Sequence, residues 1–542
     1  MRRREWLISS ALFCSMAGLA RAQSALGVPT FDIEAPTLDD YRALGWQRRV
    51  LIRWGDPVVP SAPAFDPAQI SPSAAARQFG WDAMIAGIIT PPPAEDGVDR
   101  LILVVAHPDV EARMAFADER DHPRIAGLMQ GLSVLNLSYR GGQWVTVDGG
   151  YQARRITDGT LCQITGPAAS VIGHAVQGVL APQLGCVTPW NSILVPEGHT
   201  APWLRRLAPR DPAFAKPEIG FGFGWVVEID ALRPLSFPKK RTALGRFPRA
   251  GLACATAADG TPVVFMSEAG LGGRLFRYKG APPVAAPASA PTLPAISPPQ
   301  AASPLDSGTL AVAVIEGHDI VWHDLAAAPT SLTATLSAAG QGSRFDDPKG
   351  LALDHSGHLY LACAGNRARG IDQINPLNPR AGHDGGHVIR FEPANNDLGS
   401  KRFSGAVVLL GGDPQTDPSA RYAPGSTAFL RKPVTLSIDR DGDVLIGTDQ
   451  GGDSTIIADG LYRLSRSEAA PDALSLIYRA PIGAALGGSA LDPIKNQIFA
   501  AIRHPGATPD ATFSNPATRW PSLQPQMPPQ TTIIALARTA NQ

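Results

Sequence analysis

Cysteine is scarce in this chain: Cys14, Cys162, Cys186, Cys254 and Cys363 are its five, spread over 542 residues with no CxxC spacing. Cys14 lies in the leader described below, and the remaining four allow three pairings. Disulfide pairing and buried free thiols both stay open. Neither sign of charge predominates, since Lys plus Arg (48) equals Asp plus Glu (48). Nothing global therefore argues for nucleic acid or an anionic membrane as partner. Long hydrophobic runs are missing too. The apolar run from about Trp6 to Ala20 is too short to span a bilayer.

Several catalytic signatures are also absent. There is no GxSxG nucleophile elbow, no HExxH pair and no Walker loop. "GFGFGW" (220–225) supplies glycines but leads into the strand-like "VVEID", so it offers no helix N-terminus to a phosphate. "DRDGD" (439–443) opens like a calcium loop, yet position twelve is Gln450 and the segment sits inside a hairpin pattern, which favours a solvated turn. "HDGGH" (383–387) has two imidazoles and a carboxylate without a third His or Cys at ligand spacing, and reads as a surface loop.

What is present begins with the leader, "MRRREWLISSALFCSMAGLARAQS". Its basic start, apolar run and small residues Ala20 and Ala22 mark a signal peptide over residues 1–22, cleaved after Ala22. Arg3-Arg4-Glu5-Trp6-Leu7 resembles the twin-arginine motif, although ordinary secretory signals also begin with arginines. Either route delivers the chain to the periplasm or outside the cell.

Gly (54) and Pro (51) are abundant, which favours turns and short strands. Four segments share one design: "CATAADGTPVVFMSEAG" (254–270), "GLALDHSGHLYLACAGN" (350–366), "TLSIDRDGDVLIGTDQG" (435–451) and "GSALDPIKNQIFAAIRH" (488–504). Each places a polar turn between alternating apolar runs, the pattern of a half-buried hairpin. Hairpins recurring over hundreds of residues predict an all-β fold, a β-propeller, with a sandwich or several smaller β domains as alternatives. The Pro/Ala/Ser-rich segment 281–304 cannot form a continuous ladder and is expected to be extended, either a linker that separates two domains or, in preference, an insertion between blades of one domain spanning 23–542.

A further set of stretches runs in order along the chain: "VLIRWGDPV" (50–58), "APAFDP" (62–67), "ARQFGW" (76–81), "RRIT" (154–157), "TGPAA" (165–169), "VTPW" (187–190), "FGWVVEID" (223–230), "KRTALGRF" (240–247), "SGTLAVA" (307–313), "GGHVIRFEP" (385–393) and "IRHPG" (502–506). Together they resemble the PhoX-type alkaline phosphatases. That resemblance implies an exported phosphomonoesterase on a six-bladed propeller, with iron and calcium in the channel held by a cysteine and several carboxylates. On this chain it points to Cys186, Glu197 and Glu268 as candidate metal ligands.

The departures concentrate where the metal should sit. The resemblance places acids at five blade starts where this chain has Pro108, Ala250, Lys349, Val434 and Ala485. Ala269 and Gly198 replace the second members of two acidic pairs, and Cys186 is displaced toward Thr188. A lysine at such a position repels calcium instead of binding it. Two functions are therefore expected to compete. One is phosphomonoester hydrolysis by an altered metal set. The other is a non-catalytic exported propeller that binds a small phosphorylated or other anionic ligand, or a partner. The expected protein is a monomer without a membrane span.

Overall fold

The computed structural model describes residues 35–281, 303–325, 339–451 and 457–539. The leader and most of the Pro/Ala/Ser segment lie outside them. Strands dominate, and all but one pairing between them is antiparallel; the exception joins Lys239–Arg241 to Leu161–Thr165 in parallel. Each of the four segments read as hairpins is one. They pair Arg249–Thr256 with Pro262–Glu268, Pro348–Leu353 with Leu359–Cys363, Pro433–Ile438 with Val444–Thr448, and Ala485–Leu491 with Ile498–Arg503. Their turns form for a local reason. In "DRDGD", Asp439 Oδ1 accepts the Asp441 and Asp443 amides at 2.9 and 3.0 Å, and Gly442 takes φ 84°, which favours glycine. Arg463 pairs with Asp439, Asp441 and Asp443, so the three carboxylates of this turn share one arginine.

The first strands of these hairpins stand side by side, and two more complete the ring. Arg249–Thr256, Pro348–Leu353, Pro433–Ile438 and Ala485–Leu491 adjoin in that order; Met84–Ile89 follows, then Cys186–Val187, which returns to Arg249–Thr256. All six line a central cavity of about 350 Å³. Further strands extend outward from each, in sheets of five, six, nine, five and four strands. In the nine-stranded sheet, Asp319–Asp324 pairs with Arg402–Leu410, joining two outward-running stacks by their outer edges.

The last sheet closes the chain on itself. Trp46–Arg53 lies antiparallel to Thr532–Arg538, from Trp46 opposite Arg538 to Arg53 opposite Thr532. Strands covered on both faces are apolar throughout, as in Leu359–Cys363. Between sheets, Phe265, Trp322 and Phe403 form a buried triangle with ring centroids 5.6 to 5.8 Å apart. The four cysteines of the described residues are free thiols. Among the described residues no helix is long and apolar enough to cross a membrane.

Candidate functional site at the channel mouth

The inner strands all run in the same direction along the channel, so their starting ends gather at one mouth. There a cavity of about 500 Å³ is lined by Pro108, Ala250, Lys349 and Val434; Ala485 lines an adjoining one of about 240 Å³ that shares Asp109, Asp449 and Arg503 with it. The five positions singled out in the sequence thus converge, although they lie up to several hundred residues apart. Lys349 faces the cavity. Its ammonium forms an ion pair with Asp347, 3.0 Å from Oδ1.

Carboxylates that sequence reasoning missed populate the same mouth. Arg503 reaches Asp82 through two bonds, Nε to Oδ1 at 2.9 Å and a terminal nitrogen to Oδ2 at 2.8 Å; its other nitrogen meets Asp449 Oδ2 at 3.3 Å. Burial pushes the Asp82 carboxyl up, but the charge and hydrogen bonds of Arg503 outweigh it and hold the group below its ordinary value. Asp109 is largely exposed and, among the described residues, has only Arg206 within ion-pair reach, at 3.8 Å. Asp459 is buried beside the Asp449 charge; both effects raise its carboxyl well above the ordinary range, while it accepts from Thr448 Oγ1 and the Gln450 amide. Asp347 directly precedes the strand Pro348–Leu353, where an acid next to a strand start was a usable signal, and Asp449 lies inside the quoted stretch 435–451, just past the strand Val444–Thr448.

His107 closes this wall from behind. It is fully buried, with Nε2 2.8 Å from Ser133 Oγ and Nδ1 against the Asp82 carbonyl. A carbonyl only accepts, so Nδ1 carries the proton. Burial and the nearby Arg155 hold the imidazole well below its ordinary pKa, so it is neutral and positions the Asp82 backbone.

The three candidate metal ligands are engaged elsewhere. Glu197 is fully buried: Oε1 accepts Lys240 Nζ at 2.8 Å and the Leu180 amide at 2.9 Å, while Oε2 accepts the Gly224 and Trp225 amides at 2.8 and 3.2 Å. The glycine-rich stretch 220–225 therefore presents its amides to a carboxylate of the chain itself. Glu268 accepts the Arg274 amide and guanidinium, each at 3.0 Å. Their neighbours Gly198 and Ala269 line the mouth, but the carboxylates turn away into these ion pairs. Cys186 lies deeper, in the channel wall near Cys254, and burial pushes its thiol up to about 12. At neutral pH it is therefore protonated and a poor ligand.

"HDGGH" is likewise no metal pair. His383 Nε2 meets Asp417 Oδ2 at 2.6 Å, and Asp384 sits between Arg367 and Arg431. The surface-loop reading fails at its last residue. His387 begins the strand His387–Pro393 and is buried, with Nε2 3.0 Å from the Leu377 carbonyl.

Among the described residues, no three His, Cys, Asp or Glu side chains come together as a metal-ligating group. Iron or calcium needs several convergent, open donors. Here each acid is either paired with Arg or Lys, committed to backbone amides, or isolated. The donor set does not fit the iron and calcium that the resemblance implied.

A closed ring of antiparallel sheets with one polar mouth defines a channelled all-β protein whose site is built from strand ends. A family model for the alkaline phosphatase PhoX matches residues 35–506, and the chain belongs to that family. The fold agrees with PhoX of Pseudomonas fluorescens, solved with vanadate: TM-score 0.81 at 24% identity, covering 94% of this chain and 98% of that one. Two others are far less similar. A protein of unknown function from Dyadobacter fermentans gives a TM-score of 0.39 at 9% identity, over 92% of this chain and all of the other. A gluconolactonase of Xanthomonas campestris gives 0.30 at 11%, over 90% and 98%. Among curated proteins no sequence matches.

Proposed function

We propose that this PhoX-family protein uses its channel mouth to bind a small phosphorylated or otherwise anionic molecule, without the family's metal-dependent hydrolysis. The observation that carries this reading is Lys349. It lines the cavity at a position where the resemblance puts a metal-coordinating acid, and its ion pair with Asp347 leaves N–H donors for a ligand. The neighbouring acids are partly compensated. Asp449 and Asp82 share Arg503, and Asp109 lies 3.8 Å from Arg206. Pro108, Ala250 and Val434 supply apolar wall for the rest of the ligand.

Isothermal titration of the mature protein with inorganic phosphate is expected to show binding at about 1 mM or tighter. Lys349→Met should abolish it. Metal analysis of the same protein should find no stoichiometric iron, and phenyl phosphate should be hydrolysed negligibly. Lys349→Glu alone should not create activity, because four other positions still lack acids. Stoichiometric iron and calcium with brisk phosphatase turnover would overturn the reading. Phosphomonoester hydrolysis remains the second reading, favoured by family membership over 35–506.

The six inner strands support a six-bladed propeller, with the nine-stranded sheet counted as two blades joined at their edges. A single domain over 23–542 is consistent with the pairing of Trp46–Arg53 with the last strand, Thr532–Arg538. For export we propose the twin-arginine route to the periplasm or beyond. Changing Arg3 and Arg4 together to lysine should leave the protein in the cytoplasm, as read by cell fractionation; normal export of that variant would point to the general secretory route.

A further inference from the structure

The six-stranded sheet has a second cavity, of about 430 Å³, at the end opposite the mouth. Ile193–Pro196 runs toward the mouth, where Glu197 sits, and Val226–Ile229 runs back from it. The turn before the first of these strands and the loop after the second therefore meet at the far end. Trp190 comes from that turn, and Leu235 and Phe237 from that loop.

These apolar groups are unusually open: Trp190 is 36% exposed, Phe237 51% and Leu235 90%. Trp190 is nevertheless held firmly. Its Nε1–H donates to Glu228 Oε1 at 2.9 Å, and Ser192 Oγ donates to the same oxygen at 2.6 Å. Arg241 Nε donates to Glu228 Oε2 at 2.6 Å, and Arg241 is itself braced by Asp306 at 2.7 Å and Thr165 Oγ1 at 3.1 Å. Glu228 and Arg241 are both buried. Burial pushes the Glu228 carboxyl up, yet Arg241 and the two side-chain donors bring it below its ordinary value, so the anchor stays ionised.

An indole pinned by a buried ion pair, about one-third exposed and lining the cavity with two more apolar groups, is a rigid platform. The charges around it cancel: Glu228, Asp230 and Asp306 stand against Arg233, Lys239 and Arg241. Such a site does not select a phosphate. It suits a neutral molecule with an apolar C–H face for the ring and hydroxyls for the carboxylate, guanidinium and amide groups at its edge. We infer that this far-end cavity binds a neutral saccharide, with Trp190 as the stacking platform and Phe237 at its rim. The volume lies in the range of small-molecule sites. The inference is independent of the phosphate reading of the mouth.

The test is ligand-observed NMR and isothermal titration of the mature protein with maltotriose, cellotriose and N,N′,N″-triacetylchitotriose. At least one should bind with a Kd of about 1 mM. Phe237→Ala, whose exposed ring carries little of the fold, should weaken that binding about tenfold, and Trp190→Ala should do so at least as strongly, with Trp190→Phe recovering part of the loss. Lys349→Met at the other end should leave it unchanged. The inference is overturned if none of the three binds at about 10 mM. It is equally overturned if binding survives both Phe237→Ala and Trp190→Ala, or follows Lys349 instead.

Discussion

Replacing Lys240 by methionine is expected to lower the unfolding free energy by about 3–5 kcal/mol, because it leaves the buried Glu197 carboxylate without its ion-pair partner. Both side chains of this pair are fully shielded from solvent. Lys240 Nζ also donates to the Gly222 carbonyl at 2.9 Å and lies 4.0 Å from the centre of the Phe223 ring. The predicted loss is a large part of the roughly 5–15 kcal/mol that holds a typical domain together. Adding Glu197→Leu should recover only part of it. The Leu180, Gly224 and Trp225 amides then lose their acceptor, and each buried unsatisfied donor costs about 1–3 kcal/mol. Urea denaturation of the two variants against the parent checks this. A loss under about 1 kcal/mol for Lys240→Met would place the pair in the class of solvated ion pairs and remove its structural role.

Arg503→Met should have an effect of similar size, about 3–5 kcal/mol at neutral pH, and a characteristic dependence on pH. Asp82 is buried, and its pKa in the folded protein is held below the ordinary 3.8. A depressed pKa contributes stability that is present above the unfolded value and lost as pH falls through the folded one. Without Arg503, burial, the largest influence on Asp82, is opposed chiefly by the Ala83 amide at 2.8 Å, so its pKa rises and the sign reverses. The variant's unfavourable term then grows as pH rises through that raised value and disappears where Asp82 is protonated. The deficit relative to the parent should therefore be greatest near neutrality and shrink as pH falls, first through the raised value in the variant and then through the depressed value in the parent. Denaturation midpoints measured from acid to neutral pH test this, and a deficit constant across that range would sink the assignment. The pair matters because of where it acts. It ties the approach to the strand Met84–Ile89 to the end of Ile498–Arg503, two neighbouring parts of the ring 421 residues apart.

The hairpins were legible because their causes are local. Alternation of period two and an Asp or Gly turn occupy fewer than twenty residues, and Asp354 and Asp439 cap their own turns with side-chain oxygens. Lys349 was legible as a mouth residue by its place beside a strand start, a position that recurs from hairpin to hairpin. "HDGGH" was only partly legible. Its spacing says nothing of the burial of His387, which depends on the Leu377 carbonyl supplied by a separate loop.

What no local pattern could reveal was which acids remain available. Glu197 and Glu268 looked like metal ligands by position, and their commitments to Lys240 and Arg274 depend on rotamers and register between strands. Asp82 became part of the mouth only through Arg503, and the ring itself closed only through the pairing of Trp46–Arg53 with Thr532–Arg538. The sequence by itself determined the turns, the strands and the residue types at each strand start, because those follow from nearest-neighbour sterics and hydrophobic period. Tertiary structure decided the charge balance of both cavities, because a carboxylate's chemistry is set by whichever cation or amide the folded chain brings within 3 Å of it.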